Sequence, residues 1–396
     1  MTQREGEGAP VPGPTGVAVL GSTGSVGRQT LQVIEHHPDR FRVVALAAGA
    51  NASLLREQVR RHRPDLVALG APDPDWPAEL GPIEVGTEAL IAAATHPSAE
   101  IVVVASSGHA AILPTHRAIA AGKTIALANK ETIVCAGELI VPFAAERGVS
   151  IRPVDSEHSA IWQSLGSTPL REVSRLILTA SGGPFRSTPA AEMAAVTARD
   201  ALAHPTWSMG GKITIDSALL MNKGLEVIEA RWLFGVPDAR IDVLIHPESI
   251  VHSLVEFVDG SQIAQLGLPD MRLPIQYALT FPERVAGPHE PLSLASIGAL
   301  HFEVPDEARF PSLALARRAG NAGATYPTVL SAADEVAVDA FLAGRLRFVE
   351  IPEVVSRTLD AHRPEGPLDF DAIMAADVWA RSEAAAAVAT LNRGAV

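Results

Sequence analysis

The chain has 396 residues, a formal net charge of −13 and 47% hydrophobic residues. This length predicts two or three domains with substantial cores, in a composition typical of folded proteins. The acidic balance argues against binding to nucleic acid or to an anionic membrane surface, and no run approaches the ~18 consecutive apolar residues of a membrane span.

Cysteine usage and the N-terminal segment bear on location. The single cysteine, Cys135, excludes an intrachain disulfide and fits a reducing compartment. Residues 1–14 carry glutamates and prolines and lack the apolar segment of a signal peptide, so we predict a disordered tail. We therefore expect a cytoplasmic protein.

The first predicted elements surround a glycine-rich turn. An apolar run at residues 17–20 leads into GSTGSVG at 21–27, and a helical pattern follows through Ile34. In this context the glycines let the backbone turn tightly and approach a pyrophosphate at the helix N-terminus. Because the spacing is G-x-x-G-x-x-G rather than G-x-G-x-x-G, a plain tight turn is the alternative.

Strand and helix patterns then alternate along the N-terminal part of the chain. Near-continuous apolar strands that alternate with helices indicate a parallel, doubly wound, Rossmann-like sheet. The apolar runs are residues 41–48, 66–69, 101–104, 124–127 and 149–153, and the helical patterns lie near 52–62, 87–95, 110–121 and 131–147.

The end of the second predicted strand indicates which nicotinamide cofactor to expect. Residues 47–51 (AAGAN) contain no acid, whereas an NAD enzyme usually places one there for the ribose 2′-hydroxyl. This absence favours NADP. Arg56 and Arg60, on the next helix, are candidates for holding its 2′-phosphate.

Polar residues also follow the 124–127 run. Asn129-Lys130-Glu131 stands where open α/β sheets bind ligands, but a helix N-cap followed by a dipole-favoured glutamate explains it equally well. Cys135 lies inside the helix that follows, which favours a small buried residue over a nucleophile.

Two carboxylates separated by one residue suggest a metal site. If Asp155 and Glu157 end a strand, both project to the same side. Oxygen ligands without paired thiols suit Mg²⁺ or Mn²⁺ rather than zinc, and Glu226 would complete the set. The alternative is a solvated strand end.

A further strand at 173–180 ends in Ser181-Gly182-Gly183, where backbone N–H groups can wrap an anion. The Thr-, Pro- and Gly-rich segment 186–211 carries Trp207 and Met209, and is typical of a lid or of a long loop folded onto the core.

The second half of the stretch from Trp207 to Trp232 predicts a helix with two chemically distinct faces. An apolar stripe opposes a polar face of Asn222, Glu226 and Glu229, with Lys223 at its edge. Asp216-Ser217 stands where an N-cap would offer an anion site. Such a helix suits a phosphorylated, metal-bound ligand. An ordinary solvated surface helix is the alternative.

The rest of the chain predicts an antiparallel region followed by helices. Strands are expected at 241–246, 250–258 and 261–267, with a hairpin turn at Asp259-Gly260. The predicted fold is α/β, with a Rossmann-like doubly wound N-terminal domain, an α+β catalytic domain and a C-terminal helical bundle. The bounds are 1–14 for the tail, 15–154, 155–283, 284–310 for a linker, and 311–396.

Seven motifs in order resemble the 1-deoxy-D-xylulose 5-phosphate reductoisomerase family of the non-mevalonate isoprenoid pathway. They are GSTGSVG, LANKETIV, PVDSEHSAIWQ, TASGGPFR, HPTWSMG, DSALLMNKGLEVIEARWLFG and HPESIVHS. The likeness runs from Gly16 to about Pro282 and implies an NADPH domain, a catalytic domain, a C-terminal helical domain and a homodimer. Ala50 stands where some members have lysine, and Gly211 where some have arginine.

The resemblance also implies roles for individual residues. NADPH would contact Thr23, Gly24, Ser25, Val26, Gly49, Ala50, Asn51, Asn129, Glu131 and Gly210. The divalent metal, Mg²⁺ or Mn²⁺, would bind Asp155, Glu157 and Glu226. The phosphorylated sugar would contact Lys130, Ser156, Glu157, Ser181, His204, Ser217, Asn222, Lys223 and Glu226, of which Lys130, Glu157, His204 and Glu226 would be catalytic, while Trp207 and Met209 would belong to the lid.

The implied activity is the rearrangement of 1-deoxy-D-xylulose 5-phosphate to a branched aldehyde, followed by hydride transfer from NADPH. One alternative is another NADP-dependent dehydrogenase acting on a phosphorylated aldehyde or ketone. The thioester version of that class needs a nucleophilic cysteine, for which Cys135 is the only candidate. A second alternative is a non-catalytic nucleotide-sensing module, which gives the three carboxylates no role.

Overall fold

The structure is a computed structural model that describes residues 13–203 and 210–393. Most of the predicted N-terminal tail lies outside these residues, as do three predicted site residues, His204, Trp207 and Met209.

A parallel sheet organises the N-terminal part, as predicted. Its strands lie side by side in the order β4-β3-β2-β1-β5-β6-β7. The strands are β1 Thr15–Leu20, β2 Phe41–Ala48, β3 Leu66–Leu69, β4 Glu84–Val85, β5 Ile101–Val104, β6 Thr124–Leu127 and β7 Ile151–Pro153. The helices between them are α1 Ser25–His36, α2 Ala52–His62, α3 Thr87–Ala94, α4 Ile112–Ala120 and α5 Lys130–Glu146.

Both faces of this sheet are covered by helices, which explains why its strands are apolar without alternation. Val17 and Val19 of β1 point into one core, shared with α1 and α2, while Ala18 and Leu20 point into the other, shared with α3 to α5. Strand β4 was not predicted, because its two residues are exposed and form no apolar run.

A second, mixed sheet follows in the order β11-β10-β8-β9. Strand β10 is antiparallel to β8 and β11, and β8 is parallel to β9. The predicted hairpin at Asp259-Gly260 joins β10 to β11, where Phe257 N donates to Ser261 O. The strands are β8 Val173–Ala180, β9 Ile241–Ile245, β10 Val251–Phe257 and β11 Gln262–Leu266. Helices α6 Ser156–Leu165, α7 Ala198–Ala201, α8 Gly211–Leu219, α9 Met221–Phe234, α10 Arg272–Thr280 and α11 Leu294–Ile297 accompany this region.

The predicted helix start at Asp216-Ser217 is wrong, because the chain forms two helices between Gly211 and Phe234. Leu220 adopts a left-handed conformation (φ 61°) and separates α8 from α9. Asp216 and Ser217 therefore lie in the last turns of α8 and do not cap the start of α9. The prediction failed because leucine rarely adopts this conformation, so the sequence carries no break signal.

The C-terminal part is helical, as predicted, and packs against α9. The helices are α12 Ser312–Ala322, α13 Tyr326–Leu342, α14 Ile351–Ala361 and α15 Phe370–Arg393. The segment 284–310 before them contains α11 and pairs with the second sheet at one bridge, Ile245 with Glu303. None of the helices within the described residues is both long and apolar enough to be a candidate membrane span.

Helix α9 is buried between α5 and α12 because small residues let the three helices approach closely. A Cβ at Gly137 on α5 would lie 2.7 Å from the Trp232 indole, and one at Gly320 on α12 would lie 2.9 Å from Ile228. At Gly224, on α9 itself, a Cβ would lie 2.4 Å from Ala316 Cβ. These contacts fix the distance between α9 and the C-terminal helices.

We expect Gly224→Ala to lower the thermal unfolding midpoint. Alanine in a helix gains up to about 1 kcal/mol over glycine, but overpacking a tight interface typically costs about 1–3 kcal/mol. Gly211→Ala is the control, because its Cβ would meet only Leu202 and Leu342 at 3.7 Å and 3.8 Å. A Gly224→Ala protein as stable as the parent in a thermal melt would contradict this account of the packing.

Candidate functional site

The crossover in strand order creates a crevice at the carboxyl ends of β1 and β5, where open α/β sheets bind ligands. The glycine-rich turn lies there. Gly21 has φ of 82°, and a Cβ at Gly27 would lie 2.2 Å from Gly21 O, so both positions require glycine. The predicted strand, tight turn and helix are therefore present with the close approach that a dinucleotide turn needs.

The other predicted cofactor residues lie at neighbouring strand ends. Gly49 and Ala50 follow β2, and Asn51 caps α2 by accepting from Leu54 N at 3.1 Å. Asn129 caps α5 and also donates to Ser106 O and Gly108 O, which holds the segment after β5.

The arginines considered for a 2′-phosphate already have acidic partners in this structure. Arg56 is paired with Asp73, and Arg60 lies 3.5 Å from Glu79 Oε1. Each guanidinium would have to share or leave its acidic partner to bind a 2′-phosphate, so that role stays a prediction.

Three carboxylates converge beside this crevice. One oxygen each from Asp155, Glu157 and Glu226 lies within 4.8 Å of the others. The sequence analysis expected Asp155 and Glu157 at the end of a strand, but they lie at the start of a helix. Asp155 caps α6 by accepting a hydrogen bond from Glu157 N, and Glu157 lies in the first turn of α6. Glu226 reaches them from α9. This is an oxygen-donor set of the kind that Mg²⁺ or Mn²⁺ prefers.

Two lysines compensate these carboxylates. Lys130 Nζ contacts Asp155 and lies 3.1 Å from Glu226 Oε1. Lys223 Nζ lies 2.9 Å from Glu157 Oε1 and also contacts Glu226. Asn222 donates to Glu226 Oε1 at 2.6 Å. The face of α9 predicted to be polar is thus a buried ionic cluster, and the alternative of a solvated surface helix is wrong.

Burial and repulsion shift the pKa values of these groups. Burial, together with the charge of Glu226, raises the pKa of Glu157 to about 7. Burial would lower the pKa of Lys130, but the attraction of Asp155 and Glu226 outweighs it and raises that pKa well above its usual range. Lys130 therefore keeps its proton through neutral pH.

Two further buried residues, to which no role was assigned from the sequence, complete the cluster. His158 Nδ1 lies 3.4 Å from Asp155 Oδ1 and 4.0 Å from Glu229 Oε2, while Glu229 Oε2 lies 3.7 Å from Lys130 Nζ. Burial raises the pKa of Glu229 to about 7. Glu229 could have been predicted from the sequence, because it lies one helical turn after Glu226. His158 could not, because it reaches the site only when residues 156–165 form a helix.

The four acids of this cluster face His158 as well as the two lysines. Burial alone would lower the pKa of His158, but Glu229 and Asp155 outweigh it and raise that pKa to about 9, so the imidazole adds a positive charge at neutral pH. The oxygen-donor chemistry of Asp155, Glu157 and Glu226, rather than an excess of charge, fits a bound divalent metal ion.

The loop at residues 181–183, predicted to wrap an anion, follows β8 and lies beside α8. Gly182 and Gly183 both have positive φ after β8, and Gly183 N donates to Ser181 Oγ at 3.2 Å. A Cβ at Gly183 would lie 2.8 Å from Ala218 Cα, so glycine lets this loop approach α8 beside Ser217.

One cleft of about 480 Å³ joins these groups. Its lining includes the predicted metal and substrate residues Lys130, Asp155, Ser156, Glu157, Ser181, Ser217, Asn222, Lys223 and Glu226, and the predicted cofactor residues Ser25, Val26 and Gly210. The other predicted cofactor residues do not line it; they are Thr23, Gly24, Gly49, Ala50, Asn51, Asn129 and Glu131.

The cleft also has lining residues that sequence reasoning missed. They are Ser249, just before β10, His252 on β10, and Asp270, Met271 and Arg272 at the start of α10. Burial lowers the pKa of His252 to about 4, so its imidazole is neutral at physiological pH. Residues 270–272 could have been predicted, because they belong to a polar segment that follows β11, and binding residues often lie in loops that follow strands.

Comparison with known proteins gives a consistent result. The sequence model described as 1-deoxy-D-xylulose 5-phosphate reductoisomerase matches residues 17–137, and those of C-terminal domains of the same enzyme match residues 151–234 and 266–383. The chain is similar to 1-deoxy-D-xylulose 5-phosphate reductoisomerase of Thermomicrobium roseum, with 59% identity over 93% of this chain and 96% of that one. Its counterpart in Symbiobacterium thermophilum is 55% identical over 93% and 97% of the two chains.

Solved structures agree. A structure of DOX-P reductoisomerase in complex with NADPH, fosmidomycin and magnesium has a TM-score of 0.90 at 39% identity, covering 95% of this chain and 99% of that one. The Zymomonas mobilis enzyme in complex with NADPH has a TM-score of 0.88 at 42% identity, covering 95% and 99%.

The raised pKa of Glu157 predicts a pH-dependent affinity for divalent cations. A carboxylate must be ionised to bind a metal, and below pH 7 Glu157 holds a proton in the cation-free protein. We therefore expect the dissociation constant for Mn²⁺, measured calorimetrically, to rise about tenfold per pH unit below 7 and to level off above pH 8. Glu157→Gln should bind Mn²⁺ weakly and lose this dependence. A constant affinity of the parent protein between pH 5.5 and 8 would contradict the prediction.

Proposed function

The chain belongs to the 1-deoxy-D-xylulose 5-phosphate reductoisomerase family, and from this membership we propose how its cleft carries out the family's reaction. The enzyme converts 1-deoxy-D-xylulose 5-phosphate to 2-C-methyl-D-erythritol 4-phosphate in non-mevalonate isoprenoid biosynthesis, using NADPH and a divalent metal. The convergence of Asp155, Glu157 and Glu226 beside the crevice carries the assignment of residues.

We propose that these three carboxylates hold the metal, with Mg²⁺ and Mn²⁺ both acceptable to an all-oxygen set. The glycine turn and the segments after β2 and β6 would hold NADPH through the predicted residues, from Thr23 to Gly210. The absence of an acid after β2 supports NADPH over NADH. A bound divalent cation supplies a Lewis acid for the ketone and hydroxyl oxygens of the sugar, and NADPH supplies the hydride.

The chain's own groups bind and orient the sugar phosphate. Ser181, Ser217, Asn222 and Lys223 line the cleft, and their hydroxyl, amide and ammonium groups suit a phosphate dianion. Binding energy from that remote phosphate can orient the reacting carbons. Lys130 retains its proton among Asp155, Glu226 and Glu229, so its ammonium can donate a hydrogen bond to a substrate oxygen.

Three predictions belong to this proposal without contacts to support them: the catalytic role of His204, the lid and the domain bounds. His204 as a catalytic residue and Trp207 and Met209 as lid residues lie outside the described part of the chain. The domain bounds at 15–154, 155–283, 284–310 and 311–396 are supported by two separate sheets followed by helices.

The location of Cys135 disfavours a thioester dehydrogenase. This residue is buried on α5, its sulfur lies 3.4 Å from His109 Nε2, and it does not line the cleft. A nucleophile that substrate cannot reach gives that alternative no support.

We expect Glu226→Gln to abolish turnover while leaving NADPH affinity nearly unchanged, because the substitution removes a metal ligand and not a cofactor contact. Turnover is followed as NADPH absorbance with 1-deoxy-D-xylulose 5-phosphate, with and without EDTA. Glu138→Gln, an exposed acid on α5, is the control. Strong residual activity in Glu226→Gln would refute the metal role, and EDTA-resistant turnover by the parent enzyme would refute metal dependence.

We further propose a homodimer formed along β11. This strand pairs on one side with β10, has no partner strand on its other side within the described residues, and exposes half of Ile263. An exposed apolar edge strand invites pairing with a second copy. Ile263→Lys should shift the sedimentation coefficient from dimer to monomer, whereas Val304→Lys, beside the opposite edge of the sheet, should not. A parent protein that sediments as a monomer would refute the proposal.

A further inference from the structure

Helix α8 has one face in the cleft and another against the C-terminal helices. Gly210, Ile213, Ser217 and Leu220, at helical spacing, line the cleft. On the other side, Lys212 extends from the first turn of α8 toward Asp216 and toward Asp334 on α13. The position of Ser217 in the cleft therefore depends on what holds the outer face of this helix.

The outer face is held by a buried ionic cluster that the proposed function does not use. Lys212 Nζ lies 2.5 Å from Asp216 Oδ2 and 2.7 Å from Asp334 Oδ2. Asp334 is fully buried and Asp216 is 2% exposed. Glu131 on α5 also faces Lys212. Burying a carboxylate is costly unless it is paired, so Asp334 is tied to the position of Lys212.

The two carboxyl groups compete for the same ammonium group. Burial, together with the charge of Asp334, raises the pKa of Asp216 well above its usual range. Lys212 Nζ lies within ion-pair distance of both carboxyl groups, so the ionic link joins α8 to α13 and is not confined to α8.

We propose that Asp334 is a positioning residue for the phosphate end of the cleft: through Lys212 it fixes α8 against α13 and thereby sets the location of Ser217. This inference rests on the proposed function, in which Ser217 contacts the substrate phosphate. It gives the C-terminal helices a part in substrate binding, although α13 contributes no residue to the lining of the cleft.

Asp334→Asn is a clean test because it should not leave Lys212 unpaired. Without the charge of Asp334, Asp216 can ionise and pair with Lys212 at i,i+4 within α8, so the fold is preserved while the link to α13 is lost. We expect the KM for 1-deoxy-D-xylulose 5-phosphate to rise about tenfold, with kcat and the KM for NADPH changed less than about threefold.

A double-mutant cycle with Ser217→Ala separates positioning from general destabilisation. If Asp334 acts through Ser217, the double variant should have the sugar KM of Ser217→Ala alone, whereas independent effects would multiply. Thr328→Val is the matched control: Thr328 lies on α13, is fully buried, and its hydroxyl has no hydrogen-bond partner among residues 13–203 and 210–393. It should leave the sugar KM unchanged.

Hydrogen exchange provides a readout that needs no turnover. Peptides covering Gly211–Leu219 should exchange faster in Asp334→Asn than in the parent or in Thr328→Val. An unchanged sugar KM, multiplicative effects in the cycle, or unchanged exchange of α8 would each overturn the proposal. An inactive parent enzyme would refute the proposed function instead, and the exchange experiment would still decide whether Asp334 holds α8.

Discussion

The structure depends on holding four acidic side chains close together in the protein interior. Asp155, Glu157, Glu226 and Glu229 come from two helices and face Lys130 and Lys223 at contact distance. Removing such charges from water costs several kcal/mol per ion unless each is paired and hydrogen-bonded. The elements that carry them, α5, α6 and α9, therefore have to be in place together, and the cleft is a property of the whole assembly rather than of one motif.

Small residues make this assembly possible, and they explain the importance of the C-terminal helices. Helix α9 carries its charges toward the cleft and can do so only because its other faces are packed tightly, at Gly137 against Trp232 and at Gly224 against Ala316. A helix with three buried ionisable residues would not be stable on a surface. The helices after residue 311 thus complete the core that holds the acids, although they are distant in sequence from the residues that line the cleft.

Much of the fold could be predicted from local patterns, and the failures have physical causes. Apolar runs located nearly every strand of the first sheet, and the glycine spacing at 21–27 located its tight turn. The break at Leu220 could not be predicted, because tertiary packing imposes a left-handed conformation that leucine disfavours. The three carboxylates predicted from the sequence do converge, but Asp155 belongs to a helix cap, a geometry that also brings His158 to the cluster. A contact such as that of Lys212 with Asp334 cannot be predicted from local sequence patterns, because the two residues are 122 positions apart in the chain.

The two lysine-containing clusters show how the same chemistry serves different purposes according to what else can enter. In the cleft, three carboxylates offer oxygens to a divalent cation beside Lys130 and Lys223. On the outer face of α8, Lys212 lies between Asp216 and Asp334, and both of these acids are buried away from the cleft. The first cluster is open to the cleft and suits exchange of ligands, whereas the second is closed and suits a fixed connection. Access to the cleft, rather than the count of acidic residues, distinguishes the site from its support.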